Sequence, residues 1–394
     1  LVVRKTDDEV VINESSKLDA KIFITLNFAD GNSSTVNNFG GAFGFVSNSV
    51  SVRNVLVKNA LSISTSGKLN MVATATEDNL NIAGFIAVSN NGAVDNIVIK
   101  QDAIINVNTN NSEQSNISAF IASANQTTIS RVTVGQSNAH AMLTISNSSF
   151  NNFVNAGVTR LSVGGLVARA KEITVSQNTK VSVYANTNIN DFRADSVEVG
   201  GVFGYIANSM SVYSIEQNGQ IVLGSANNIV ATNQILIGGF VGYNVNTKIQ
   251  NSISSGDVKI VKVTNFQNGT LNPEANIGGF AGRVGTKEGT DNSDLIADIS
   301  NCNIQIESLN FGQINAGGFA GILDAHSTNN ENGISYSLSL GYIDFAITSP
   351  DVVYNIAGFV GYHSQAKITN SSSLTTLYTK EHLAEGDTTL EGPD

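Results

Sequence analysis

The chain has 394 residues, 41% of them apolar and only 13% charged, with a formal net charge of −11. That apolar content excludes a disordered composition, and 21 Lys and Arg scattered through the chain, with no basic stripe, argue against a nucleic-acid-binding module. No run of about 18 apolar residues occurs, so no membrane-spanning helix is expected.

The chain opens on LVVRKTDDEVV, without Met and without the apolar stretch of a signal peptide, so Leu1 is read as the start of a mature or trimmed segment. Residues 1–39 read as a partial coil or N-terminal cap, in which KIFITLNF (Lys21 to Phe28) alternates as a strand. From Gly40 a pentapeptide recurs: two small residues, two apolar residues with Phe favoured, then Gly or Ala. Its first positions are Gly40, Ala83, Ser118, Gly164, Gly200, Gly238, Gly278, Gly317 and Ala357, a period close to 40 residues. A fixed period of this size marks repeats that bury their apolar faces only by stacking.

The copy from Ile237 to Val263 shows the rest of the unit. IGGFVGYN is followed by the polar turn Val245-Asn246-Thr247, then KIQNSISSG and DVKIVKV, both short, alternating and β-branched. The reading is all-β: a parallel β-helix, or β-solenoid, of about nine coils and three short strands per coil over residues 40–378. At a strand spacing of about 4.8 Å the rod is on the order of 45 Å long.

Two columns run through it. One is the pentapeptide itself, read as structural: Gly239, Phe240 and Gly242; Gly279, Phe280 and Gly282; Gly318, Phe319 and Gly321; Gly358, Phe359 and Gly361. The flanking Ile237 and Val241 are also apolar, so the strand is either buried on both faces or bent at Gly-Gly; a second apolar face would offer a lateral contact surface. The other column holds Asn54, Asn96, Ser130, Ser214, Asn251, Asn301, Ser337 and Asn370 on the second strand, read as an amide ladder along the axis.

Ile237 to Val258, IGGFVGYNVNTKIQNSISSGDV, resembles the GLUG motif, as do Ile356 to Ser373 and the stretch around Ile299 to Cys302. The resemblance covers about residues 39–378 and is strongest from 199 onward; the second and third copies lack most of its glycines. It implies secreted or cell-surface, adhesin-like proteins, and an architecture more than an activity.

Copies seven and eight are enlarged right after the pentapeptide, at Gly285 to Asp298 and Asp324 to Gly333. Insertions at one repeat position leave the solenoid from one edge, where binding loops lie. Asp291, Asp294, Asp298 and Asp324 there are candidate oxygen ligands for a hard cation such as Ca²⁺, although their spacing matches no EF-hand or nonapeptide repeat. Residues 379–394 read as an acidic tail or linker.

No column of acids, no His-based constellation and no phosphate loop occurs, so neither catalysis nor a cofactor is expected. Cys302 is read as a small buried apolar residue. The expected function is a non-catalytic structural or adhesive segment of a larger extracellular or cell-surface protein. Its expected partners are a protein or glycan at the cell surface, or its own kind end-on or laterally. The alternative is a polysaccharide-binding or polysaccharide-cleaving β-helix working through the long-loop edge. Eight sequons (Asn13, Asn32, Asn110, Asn116, Asn125, Asn147, Asn268, Asn370) permit N-glycosylation.

Overall fold

The computed structural model describes residues 17–18, 22–28, 36–47, 50–57, 61–67, 79–99, 103–107, 114–146, 158–190, 193–224, 229–264, 273–286, 292–324, 333–347, 352–364 and 366–381. Within them every named strand pairs in parallel with its counterparts in neighbouring coils, in four stacked sheets and without a helix. This is the parallel β-solenoid expected from the period. The coil built on Gly238 shows the path: Ile229–Gly238 in the first sheet, Val241–Val245 in the second, Lys248–Gln250 with Ile253–Ser254 in the third, and Val258–Ile260 in the fourth.

Each coil therefore contributes to four sheets, against the three strands expected. The extra corner is the pentapeptide itself. Gly238 ends the first-sheet strand, Gly239 and Phe240 bend, and the second-sheet strand begins at Val241.

Ile235 and Ile237 on one side of that bend join a core with Val258 and Ile260 of the fourth sheet. Phe240 and Val241 on the other side join a separate core with Ile249 of the third sheet. The strand is thus both bent and, on each side of the bend, buried on both faces. The second face is covered by the chain itself, so it offers no lateral surface.

What lets the first and second sheets meet is the fifth residue of the pentapeptide. A Cβ at Gly242 would lie 2.7 Å from the backbone nitrogen of Val199, and at Gly282, Gly321 and Gly361 it would lie 2.4–2.6 Å from those of Ile237, Ile277 and Ala316. In these coils backbone packs against the backbone of the preceding coil, with no room for a Cβ; the second to fourth copies hold the buried methyl groups of Ala87, Ala122 and Ala168 at this position.

The third residue fills the core behind the bend. Phe240, Phe280, Phe319 and Phe359 stack with centroids 4.5, 5.0 and 5.1 Å apart. These are offset-stacking separations that add to the area the rings bury.

The Asn column on the third sheet has a different cause from the one expected. Ser214, Asn251, Ala297, Tyr336 and Asn370 follow residues paired in register and all have φ between 50° and 55°. Asn96 and Arg131, further up the sheet, share that conformation. This left-handed residue kinks the third sheet, and from Ser214 onward it splits the strand of each coil in two. Asn is favoured there because it tolerates this region, not because its amide builds a ladder. Asn301, Ser130 and Ser337 are off the column: Asn301 is exposed and pairs with Leu340, while Arg131 and Tyr336 occupy the left-handed positions expected for the other two.

An amide ladder does exist, two residues before the pentapeptide. Asn81 donates to Asn38 and Asn116 to Asn81 at 2.8 Å; Asn315 donates to Asn276 at 2.7 Å and Asn355 to Asn315 at 2.8 Å. It runs on the face of the first sheet turned away from the Ile237 core.

The residue after each left-handed kink carries a second ladder. Ile215 N–H donates to Ser252 Oγ at 3.3 Å, Ser252 N–H to Asp298 Oδ1 at 2.7 Å, Asp298 N–H to Ser337 Oγ at 3.2 Å and Ser337 N–H to Ser371 Oγ at 3.1 Å. The kink removes the usual ladder acceptor, and the side-chain oxygen replaces it. Ser252, Ser337 and Ser371 also return a proton to the carbonyl two residues back. Asp298 holds the same place, fully buried, and its Oδ2 makes no hydrogen bond. Burial pushes its carboxyl well above the ordinary range, outweighing the hydrogen bonds that would lower it.

At the chain ends, Ile22–Phe28 pairs with Leu61–Gly67 as part of an earlier coil. The last strand, Thr376–Glu381, runs past the expected end of the solenoid at residue 378. Residues 1–16 and 382–394 lie outside the described residues.

Two outcomes are expected. In Gly239→Val the new Cβ would lie 2.2 Å from Gly279 O, 2.5 Å from Ser254 Oγ and 2.8 Å from Cys302 Sγ, so the variant should lose about 3 kcal/mol or more by overpacking; an unchanged denaturation midpoint would remove this column from the core. For Asp298, a folded pKa above the unfolded value of about 3.9 means stability is fully present below that pH and falls as pH rises toward the folded pKa. Asp298→Ser, which installs the residue of the neighbouring coils, should therefore gain stability over the unmodified chain increasingly above pH 4, by roughly 1–3 kcal/mol at pH 8. Urea denaturation at both pH values measures it, and an equal difference at each would refute a neutral buried carboxyl.

Candidate functional site

The two enlarged corners do fall at one place in the coil, between the second and third sheets. Ala281–Val284 leads to Asp294–Ile296, and Ala320–Leu323 leads to Gly333–Ser335. Of the four acids expected near them, the three that are described, Asp294, Asp298 and Asp324, are not brought together. Asp291 lies outside the described residues. Asp294 begins a third-sheet strand, where its Oδ1 accepts the Gly333 N–H at 3.2 Å. Asp298 belongs to the buried serine ladder. Asp324 is buried and takes a hydrogen bond from Arg283 Nη2 at 2.7 Å. Among the described residues no group of three or more His, Cys, Asp or Glu could hold a metal ion.

The glycine and phenylalanine residues singled out in the pentapeptide line the bend, and the surroundings of the glycines explain their small size. Beside the second glycine runs a column of hydroxyls from the third sheet. Ser300 Oγ donates to Gly318 O at 2.7 Å and Ser373 Oγ to Gly358 O at 2.7 Å. Cys302 joins this interior, 3.1 Å from Ser254 Oγ and fully buried, and burial pushes its thiol up to about 12. A thiol held neutral in this way is a poor nucleophile. Of the sequons, Asn116 is buried in the amide ladder, whereas Asn370 is exposed.

A cluster that the sequence reading missed lies at the sixth residue of the pentapeptide unit, one past the packed glycine. Arg169, Tyr205, Tyr243 and Arg283 are register partners in four successive strands of the second sheet. The Arg169 guanidinium lies 3.9 Å from the centre of the Tyr205 ring, Tyr205 and Tyr243 meet edge-on at 5.6 Å, and Arg283 lies 5.4 Å from Tyr243. These are cation–π and aromatic contact distances.

A buried carboxylate stands at each end of the row. Glu198, on the first sheet, is fully buried; Ser162 Oγ donates to its Oε2 at 2.7 Å, Arg160 Nε lies 3.4 Å from Oε1 and Arg169 Nη1 lies 3.6 Å from Oε2. Burial nevertheless wins over both guanidiniums and raises the Glu198 pKa, and the same desolvation lowers that of Arg169. At the other end Asp324 pairs with Arg283. The row escaped sequence reading because no single residue type runs through it: arginine and tyrosine are seen to share a column only once the strands are in register.

No helix among the described residues is long and apolar enough to cross a membrane. Comparison with curated proteins and with solved structures returns no match. A family model does match, over residues 233–259, the segment that runs from the first-sheet strand through the Gly-Gly bend to the fourth sheet. This chain carries the GLUG motif there, and the motif is one coil of its solenoid.

Proposed function

We propose that the chain is a non-catalytic structural or adhesive β-solenoid segment of an extracellular or cell-surface protein, engaging partners end-on. The GLUG motif supports the compartment. The absence of catalysis is supported by where the acids go: Asp298, Asp324 and Glu198 are all spent inside the fold on ladder or ion-pair contacts.

The observation that carries the end-on reading is the last coil. Strands Val353–Ala357, Val360–His363, Lys367–Thr369 with Ser372–Ser373, and Thr376–Glu381 each end a sheet and have no further strand beside them among the described residues. Six of the ten exposed large apolar side chains among the described residues lie there as well: Val353, Tyr362, Ile368, Leu374, Leu377 and Tyr378. Parallel edges with no strand beside them among the described residues are a template for further strands. A coil of the same kind, first of all one from a second copy of this chain, matches that template in strand direction and spacing.

Sedimentation of the chain over a range of concentrations tests this. Association that strengthens with concentration, and is lost when Leu374 and Tyr378 are both changed to Lys, is the expected result. A monodisperse monomer throughout would overturn end-on engagement. Release of products from a panel of polysaccharides, abolished by Asp294→Ala, would overturn the non-catalytic reading.

A further inference from the structure

We infer that the last bend of the solenoid, Ile356 to Gly361, is a docking site for one strand–bend–strand segment of the same pentapeptide type, laid parallel to it by a partner chain that carries the GLUG motif; the end-on reading is its premise. In the coils before it this bend is closed: Ile277, Phe280 and Ala281 are fully buried, as are Ala316, Phe319 and Ala320. In the last coil every residue from Ile356 to Gly361 is partly exposed.

What the bend offers there is set by direction. In each coil its three N–H groups donate to the next coil. Gly239 N–H donates to Gly278 O at 3.1 Å, and the Phe240 and Val241 N–H groups converge on Phe280 O at 2.9 Å. Gly279, Phe280 and Ala281 repeat this toward Gly317 and Phe319, and Gly318, Phe319 and Ala320 toward Ala357 and Phe359. Gly358, Phe359 and Val360 therefore aim three N–H groups out of the end, where no further strand lies among the described residues. The amide ladder runs the other way. Asn315 donates to Asn276 and Asn355 to Asn315, which leaves Asn355 Oδ1 as the acceptor at this end. The same polarity shows at the ladder's internal break, where Asn116 keeps an unpaired Oδ1 and Asn276 an unpaired Nδ2.

An end of this kind selects its partner. Two copies meeting tail to tail would set N–H against N–H and amide oxygen against amide oxygen, and burying such unpaired groups is costly. A parallel segment with Asn two residues before its Gly-Gly pair supplies the complement. Its first- and third-residue carbonyls take the three N–H groups, and its amide donates to Asn355. Its Phe continues the ring stack that ends at Phe359. Its fifth residue has to be glycine, because a Cβ at Gly282, Gly321 or Gly361 would lie 2.4–2.6 Å from a backbone nitrogen of the coil before. Main-chain pairing gives affinity and the pentapeptide gives specificity, as in strand addition to other sheet edges.

Fluorescence anisotropy of a labelled peptide, Glu274 to Gly285 (EANIGGFAGRVG), titrated with the unmodified chain is the test. The expected result is saturable binding, weakened at least about tenfold by Gly282→Val or Asn276→Leu in the peptide and absent for a scrambled peptide. A photoreactive group at the Glu274 end should label Val353, its register position in a parallel lay. No binding, equal binding of the Gly282→Val peptide, or labelling at His363 instead would each overturn the site. These readouts all use the unmodified chain, so no variant has to fold. The chain with Leu374 and Tyr378 both changed to Lys, expected to lose association between copies, should still take the peptide, since neither residue is on the bend; loss of the peptide there would overturn a site confined to the bend. A chain that stays monodisperse yet takes the peptide would end the association of copies and leave the docking site standing.

Discussion

The close approach of backbone to backbone between the first and second sheets is the contact on which the rest depends. At Gly204, Gly242, Gly282, Gly321 and Gly361, the fifth residues of their pentapeptides, a hypothetical Cβ would lie 2.4–2.7 Å from the backbone of the coil before it. A side chain added in these coils would push the two sheets apart. With them in contact, the chain has two apolar cores on either side of a double layer, instead of one wide core that aliphatic side chains could not span. The phenylalanine stack fills one core and the Ile237 column the other. The earlier copies use Ala87, Ala122 and Ala168 at the same position, the smallest side chain that could replace glycine there.

A double layer has a second consequence. Strands buried on both faces leave their polar side chains no solvent, and these must be satisfied along the axis instead. The structure does this by repetition: an amide ladder on Asn276, Asn315 and Asn355, and hydroxyl ladders wherever a left-handed residue breaks the backbone pairing. Asp298 and Glu198 are the carboxylates within these columns: the coils beside Asp298 have Ser252 and Ser337 in its place, and those beside Glu198 have Ser162 and Leu236. Both are held against their ordinary ionisation by burial. Their difference is in what surrounds them. Asp298 lies within a serine ladder and serves the backbone, whereas Glu198 lies beneath arginines that reach the surface.

Glu198 also marks where the amide ladder is interrupted. From Asn116 the column passes through Ser162, Glu198 and Leu236 before Asn276 resumes it. The arginine and tyrosine row occupies these same coils on the facing sheet. The departures from the repeat on the two adjacent sheets answer each other, since the carboxylate at the ladder position meets the Arg169 guanidinium of the facing sheet.

The sequence by itself determined the period, the all-β parallel architecture and the corner that bears the enlarged loops, because each rests on residues that recur at coil spacing. It also contained the amide ladder, as Asn two residues before the pentapeptide in six copies, Asn38, Asn81, Asn116, Asn276, Asn315 and Asn355. The more conspicuous Asn251 and Asn370 drew the reading instead. Their role is a backbone angle, which the same residue type serves for a different physical reason. Only the tertiary structure decided that the pentapeptide is a bend with both arms buried, since alternation along one strand cannot show which neighbour covers its second face. Only it scattered Asp294, Asp298 and Asp324 among a strand start, a ladder and an ion pair, and joined Arg169, Tyr205, Tyr243 and Arg283 into one row. Register carries residues about 40 positions apart to within contact, and where their types differ no periodic signal announces it.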